Sequence, residues 1–249
     1  MKDVNSDVAY DHIRRRILTG EYAPGRALMT NELSNEIGVS RTPVRDALRQ
    51  LEADGLVVIR ARLGARVKTM DIKEFREMCG LRMALEAYVA GLAAQLRTES
   101  DLHEIRFALE NMRRLTALIL KSEDEQPFLG ELVREDVRFH IAVMTAAKND
   151  LLKEEILRLH LINRVVSGLT PGGQAATMEK IDRNRRRTVV LKEHEAICQA
   201  VERGDGPAAK EAMERHIQDI IDTHILLMGR AANHVLAREL TEDELSYTA

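Results

Sequence analysis

Apolar residues in the first 55 positions recur at the three- and four-residue spacing of amphipathic helices. Ala9, Ile13 and Ile17 lie four residues apart and Gly20 follows them, so a first helix is predicted to end there. Two shorter helices are predicted next, and their core positions are Leu33, Ile37, Val44, Ala47, Leu48 and Leu51. The few residues between these two helices predict a tight turn, as in a helix-turn-helix unit.

Capping residues and glycines delimit the two shorter helices. Thr30 and Ser40 precede them and are expected to cap their N-termini through side-chain oxygens. Gly38 and Gly55 follow them and are expected to end them, because glycine readily adopts the left-handed conformation of a helix C-terminus.

Beyond Gly55 the apolar pattern becomes that of a β-hairpin. Residues 56–59 are apolar and mostly β-branched, Gly64 marks a turn, and residues 65–68 can return as a second strand. Three helices followed by a hairpin predict a winged helix-turn-helix domain, which we assign to residues 1–69.

The rest of the chain is helical in pattern, and we assign residues 70–249 to one all-α domain or bundle. Six helices are expected there, and the segment 170–174 (Thr-Pro-Gly-Gly-Gln) is expected to be the most flexible. The breaks between helices are predicted near residues 98–100, 122–127, 148–150, 169–177 and 204–207. The fold class expected is therefore mainly α, with an N-terminal winged helix-turn-helix and a helical bundle after it.

Composition supports a globular, mostly helical protein. Hydrophobic residues make up 45% of the chain, aromatic residues only 3%, and Trp is absent. No run reaches the roughly 18 apolar residues of a membrane span and the N-terminus has no signal-peptide pattern, so we expect a cytoplasmic protein. Cys79 and Cys198 stand far apart without a CxxC partner and are expected to be small core residues.

Charge is distributed unevenly between the two predicted domains. Lys and Arg outnumber Asp and Glu by three in residues 1–69, whereas the acidic residues outnumber the basic ones by six in residues 70–249. Arg41, Arg45 and Arg49 share one face of the third helix, a spacing that suits insertion into the major groove of double-stranded DNA. A solvated basic face is the alternative interpretation. The predicted hairpin adds the basic residues Arg60, Arg62, Arg66 and Lys68.

The stretch from Gly20 to Val67, GEYAPGRALMTNELSNEIGVSRTPVRDALRQLEADGLVVIRARLGARV, resembles the N-terminal domain of the GntR family of bacterial transcription regulators. The resemblance implies that operator contacts come from the start of the third helix and from the glycine at the tip of the hairpin. The residues at the matching positions are Ser40, Arg41, Thr42, Arg45 and Gly64.

Polar residues on the apolar faces of three later helices predict a second site. Asp136 and His140 lie four residues apart on one helix, and His194 and His216 fall within the apolar stripes of two others. A divalent cation held by these side chains would offset the cost of burying a carboxylate. An Asp–His pair that satisfies itself, and singly hydrogen-bonded core histidines, remain open alternatives.

The second part of the chain resembles the FCD type of ligand-binding domain in the FadR branch of the family. This resemblance implies a divalent metal, such as zinc, nickel or manganese, at Asp136, His140, His194 and His216. Arg82 is a candidate anchor for an effector carboxylate, although a surface ion pair with Glu86 is equally compatible with the spacing. Asn163 is a further pocket candidate. Structural or exposed positions are expected for His160, His224 and His234.

Together these observations predict a regulator rather than an enzyme. The resemblance implies a homodimer that binds a pseudo-palindromic operator and responds to a small carboxylic or sugar acid in a metal-containing cavity. One alternative is a regulator that responds to the metal alone. A metal-dependent hydrolase is a weaker alternative, because no inward-facing Glu is expected beside the metal ligands.

Overall fold

The computed structural model describes residues 4–166 and 180–236, with side chains described as far as residue 226. The segment 170–174 and the side chain of His234 therefore lie outside the described residues. The fold is mainly α, as predicted. In chain order its elements are α1 (Val4–Leu18), β1 (Ala27–Leu28), α2 (Thr30–Ile37), α3 (Arg41–Ala53), β2 (Val57–Arg60), β3 (Gly64–Val67), α4 (Ile72–Leu96), α5 (Glu99–Lys121), α6 (Gln126–Ala146), α7 (Asp150–Val166), α8 (Lys180–Arg203) and α9 (Gly206–Leu236).

The N-terminal elements form the predicted winged helix-turn-helix. Helix α3 packs against α1 and α2, and the strands form an antiparallel sheet in the order β1-β3-β2. The predicted hairpin corresponds to β2 and β3, in which Arg60 lies opposite Gly64. Strand β1 was not predicted, because its two residues are too few to show an alternating pattern. The apolar positions proposed for this core are buried, among them Ile13, Ile17, Leu33, Val44, Ala47, Leu48 and Leu51.

The predicted side-chain caps of α2 and α3 are absent. The amide of Leu33 donates to the carbonyl of Met29, which places Thr30 inside the first turn of α2 rather than before it. Ser40 does occupy the N-cap position of α3, with extended backbone, but its side chain forms no capping hydrogen bond. The prediction that Thr30 and Ser40 cap through their hydroxyl groups is therefore wrong, although the helices begin within one residue of the expected positions.

In the described part of the chain, the six helices α4 to α9 form one packed bundle. Helix α4 lies along α9, and α5 lies along α6. Capping boxes fix the N-termini of α4 and α5. Asp71 pairs with Glu74 at the start of α4, and Thr98 pairs with Asp101 at the start of α5. Cys79 is buried, as predicted, and so is Cys198. This packing brings the inner faces of α4, α6, α7, α8 and α9 near one another.

Candidate functional site

One side of α3 is basic and exposed, while the opposite side packs into the domain core. Arg41, Arg45 and Arg49 are exposed, and Val44 between them is fully buried. Arg49 lies 3.7 Å from a carboxylate oxygen of Asp46. Within the described ranges, no carboxylate lies within ion-pair distance of Arg41 or Arg45. Two guanidinium groups therefore project into solvent with their hydrogen-bond donors available.

The N-terminus of α3 adds hydroxyl groups beside these arginines. Ser40 and Thr42 are exposed, and the hydroxyl of Ser40 is not used for capping. The first amides of a helix carry a partial positive charge and bind phosphate readily. Ser40, Thr42 and Arg41 therefore lie together at an end of α3 that suits a DNA phosphate.

The hairpin of β2 and β3 projects two more basic groups. Gly64 has a φ of 78° and follows a three-residue turn in which Arg62 also has a positive φ, of 66°. Arg60 and Arg62 are exposed near this tip. Arg66 instead donates from Nη1 to the carbonyl of Gly25 at 3.0 Å, so it is partly held at the base of the wing.

Three buried histidines converge from three helices of the bundle. His140 lies on α6, His194 on α8 and His216 on α9, and each is at most 4% exposed. One ring nitrogen of each lies within 4.8 Å of a ring nitrogen of the other two. The sequence predicted this convergence from the apolar stripes in which the three residues fall.

Hydrogen bonds orient two of these rings. Nδ1 of His194 lies 2.8 Å from the carbonyl of Val190, and Nδ1 of His216 lies 3.0 Å from a carboxylate oxygen of Glu193. Since a carbonyl and a carboxylate accept hydrogen bonds, both Nδ1 atoms are assigned as the protonated ones. The Nε2 atoms of both rings then face the space between the helices.

Three Nε2 atoms meet in the space between the helices. Nε2 of His194 lies 3.4 Å from Nε2 of His140. Nε2 of His216 is buried and has no hydrogen-bond partner among the described residues. Although burial opposes it, Asp136 raises the pKa of His194, so without a metal a proton on Nε2 of His194 lies in the place that a cation would take. The donor set therefore fits a divalent cation, and imidazole nitrogen suits zinc and nickel well.

Asp136 lies at the edge of this histidine cluster. Asp136 precedes His140 by one turn of α6, and one of its carboxylate oxygens lies 3.3 Å from Nε2 of His194. The side chain is 40% exposed and lines a cavity of about 160 Å³ between α5, α6 and α8, so it is less inward than predicted. Although burial opposes ionisation, His194 holds the pKa of Asp136 below its usual value.

The electrostatic surroundings favour an uncharged ring at His216. Burial, followed by the nearby His194 and His140, holds the pKa of His216 well below its usual value. Burial also raises the pKa of Glu193 to about 7, with a further contribution from Asp219. His216 is therefore neutral at physiological pH, as a metal-binding imidazole must be.

A second buried cluster adjoins the histidines on the side of α4. Nε of Arg82 donates to Oε1 of Glu86 at 2.9 Å, and both side chains are 2% exposed. The sequence left a surface ion pair open, but the pair is buried. Nε2 of His160, on α7, lies 3.0 Å from the same carboxylate oxygen. The other oxygen of Glu86 lies 3.4 Å from Nδ1 of His140, which connects the two clusters.

One expectation about this region is wrong, and the place of His160 is more specific than the sequence indicated. A buried Glu does adjoin the candidate metal ligands, namely Glu86, and Glu193 contacts His216 as well. His160 is only 18% exposed and contacts Arg82 as well as Glu86, so it belongs to the cluster. Its contact with Arg82 joins residues 78 positions apart, and no local pattern in the sequence could indicate it.

The last sequence candidates also lie in the interior. Asn163 is 8% exposed and follows His160 by one turn of α7. His224 is buried with Nδ1 2.8 Å from the carbonyl of Ile220, and its ring packs against Phe75. The structure therefore gives His224 a packing environment, as expected.

Two family models together cover most of the chain. The model described as "Bacterial regulatory proteins, gntR family" matches residues 5–67, and the FCD domain model matches residues 77–219. The chain belongs to the GntR family and carries an FCD domain. This GntR regulator is consequently not an enzyme, so the buried Glu86 does not revive the hydrolase alternative.

Several transcription regulators are similar to this GntR regulator over most of their own length. The HTH-type transcriptional regulator LutR of Bacillus subtilis (strain 168) is 33% identical over 225 residues, which cover 83% of this chain and 94% of LutR. The HTH-type transcriptional repressor RspR of Escherichia coli (strain K12) is 28% identical and covers 88% of each chain. The galactonate operon transcriptional repressor of the same strain is 28% identical, covering 80% of this chain and 87% of its own.

Solved structures share the fold at lower sequence identity. Escherichia coli McbR/YncC has a TM-score of 0.67 at 19% identity, covering 89% of this chain and 97% of that one. A putative GntR transcriptional regulator from Rhodococcus sp. RHA1 has a TM-score of 0.66 at 20% identity, covering 90% and 98%. In the part of the GntR regulator that the structure describes, no helix combines the length and apolar character needed to cross a membrane.

Proposed function

We propose that this GntR regulator is a homodimeric repressor that releases or binds its operator in response to a small acid. Residues 1–69 are the operator-binding domain, and residues 70–249 are the effector-binding and dimerisation domain. The observation that carries the DNA-binding half is the exposed, unpaired state of Arg41 and Arg45 on α3. Two copies related by a twofold axis would read two half-sites of a pseudo-palindrome.

In the operator-binding domain, Arg41, Arg45 and Arg49 enter the major groove. Arginine binds the edge of guanine through two hydrogen bonds, and each such contact discriminates by about 1–3 kcal/mol. Ser40 and Thr42 bind a phosphate at the start of α3, and Gly64 allows the wing to approach the DNA backbone closely.

In the effector domain, a divalent metal is held by Asp136, His140, His194 and His216. The support is the buried Nε2 of His216 without a partner, and the 3.4 Å approach of two other Nε2 atoms. Zinc, nickel and manganese are the candidates. When bound, the metal supplies a Lewis-acid site to which an acid can attach.

The effector we propose is a small carboxylic or sugar acid that Arg82 helps to bind. Nη1 of Arg82 is buried with no hydrogen-bond partner among the described residues, so one donor direction is available to a carboxylate. Asn163, one turn after His160 on α7, is proposed to bind a hydroxyl group of the effector. One relative is named as the galactonate operon repressor, which supports acids as the first class to test.

A thermal-shift series on the full-length protein tests this assignment. Zinc, nickel, manganese, lactate, gluconate and galactonate are added singly and in metal–acid pairs, with and without a chelator. A ligand that binds only the native state must raise its stability. A stabilising acid whose effect disappears with the chelator supports the proposal. Stabilisation by metal alone, together with metal-dependent operator binding, favours the regulator that responds to metal only.

Replacing Arg45 by Ala is expected to weaken operator binding by about 1–3 kcal/mol, because one bidentate base contact is lost. The measurement is fluorescence anisotropy with a duplex selected from a random pool by the wild-type protein. Arg158→Ala is the matched control, since Arg158 is exposed on α7 and pairs with Glu155 on the same helix. Equal weakening by both substitutions, or loss of metal in Arg45→Ala, would contradict the assignment.

A further inference from the structure

Helix α7 contacts both the buried cluster and the DNA-binding domain within two turns. His160 reaches inward, where its Nε2 lies 3.0 Å from Glu86 and 3.2 Å from Nη2 of Arg82. Four residues later, Nε of Arg164 donates to the carbonyl of Leu18, the last residue of α1, at 3.2 Å. One helical turn, roughly 6 Å along the axis, separates these two contacts.

A second contact joins α7 to the end of α3. Gly55 comes two residues after the end of α3, and a Cβ built on it would lie 2.7 Å from Cδ1 of Ile162. The side chain of Ile162 therefore rests against the backbone of Gly55, and 7% of Ile162 is exposed. The helix that carries Arg41 and Arg45 ends two residues before this contact.

We propose that α7 transmits the state of the Arg82–Glu86–His160 cluster to α3 through Arg164 and Ile162. A ligand that takes up a hydrogen bond of Arg82 changes what His160 contacts, and α7 can then shift or rotate as a rigid element. Such a movement alters two contacts at once, one at the end of α1 and one at the end of α3. Operator affinity then depends on the cluster, even though Arg82 and His160 lie 78 positions apart in the sequence.

The inference rests on the proposed function, because it assumes that the cluster lies at the effector site. It is tested without an effector by a double-mutant cycle on the full-length protein. The four proteins are wild type, His160→Ala, Arg164→Ala and the double variant, and the readout is affinity for the selected operator duplex. Thermal unfolding and metal content of each protein establish that the variants are folded and loaded alike.

The expected result is that His160→Ala changes operator affinity by about fivefold or more in the wild-type background. In the Arg164→Ala background the same substitution is expected to change operator affinity clearly less, because the connection to α1 is broken and only the contact of Ile162 with Gly55 remains. Ile162→Val, which removes the Cδ1 atom that rests on Gly55, serves as a milder second background and is expected to reduce the effect in part.

Arg158→Ala is the matched background, since this arginine lies on α7 but pairs within the helix. The effect of His160→Ala should persist there at full size. If His160→Ala changes affinity equally in all backgrounds, or in none, α7 does not transmit the state of the cluster. Failure of every metal and acid to stabilise the protein would instead refute the proposed function, and the cycle would still report on the coupling.

Discussion

Replacing Arg82 by Met is expected to lower the free energy of unfolding by about 3–5 kcal/mol at neutral pH, as removal of one partner of a buried ion pair does. The guanidinium of Arg82 donates to Glu86 at 2.9 Å, and both side chains are almost completely buried. Without it the carboxylate stays in the bundle core with only the rings of His160 and His140 beside it. Since domains are stable by about 5–15 kcal/mol, the loss is easily measured by urea unfolding.

A paired variant separates this electrostatic effect from lost packing. In Arg82→Met/Glu86→Gln the buried charge is absent, so most of the lost stability is expected to return. If the double variant is as unstable as the single one, the ion pair is not the cause. Leu81→Ala on the exposed face of the same helix should change stability little, since Leu81 is 50% exposed.

The pH dependence gives an independent check on Glu86. Although burial opposes it, Arg82 followed by His160 holds the pKa of Glu86 well below its usual value. A lowered folded-state pKa contributes stability above the unfolded value of about 4.3, and this contribution is lost as the pH falls through the folded-state pKa. The stability difference between wild type and Arg82→Met should therefore be largest at neutral pH and shrink below about pH 4.

Much of the fold was predictable because its signals are local. The apolar spacing of α1 and α3, the glycines after α2 and α3, and the hairpin at Gly64 each depend on a few consecutive residues. The same reasoning failed for Thr30, since the carbonyl of Met29 begins α2 one residue earlier. It also could not reveal β1, which exists only because Ala27 and Leu28 pair with β3.

The candidate site was predictable only in part, and the reason is again the range of the contacts. His140, His194 and His216 could be proposed because each interrupts an apolar stripe on its own helix. Glu86 could not be placed, because a spacing of four residues from Arg82 fits an exposed pair and a buried pair equally well. His160 was missed because its partners on α4 lie far away in sequence.

Replacing His194 by Ala is expected to weaken metal binding by more than the 10–100-fold that loss of an outer-shell partner typically costs. His194 is fully buried. Its Nε2 lies 3.4 Å from Nε2 of His140 and 3.3 Å from a carboxylate oxygen of Asp136, so it contacts two of the other proposed ligands. Metal content is measured by elemental analysis, and affinity by competition with a chromophoric chelator. His103→Ala is the matched control, because His103 is exposed on α5 and should keep the metal.

The same variant tests whether the two domains have separate tasks. With metal removed from both proteins, His194→Ala and the wild type should bind the selected operator with similar affinity, since the α3 surface is unchanged. Metal added to the wild type should alter stability, whereas metal added to His194→Ala should not. A folded His194→Ala protein that has also lost operator binding in the metal-free state would show that His194 supports the DNA-binding domain directly. Retained metal at wild-type affinity would show that the three histidines are a packing feature of the bundle.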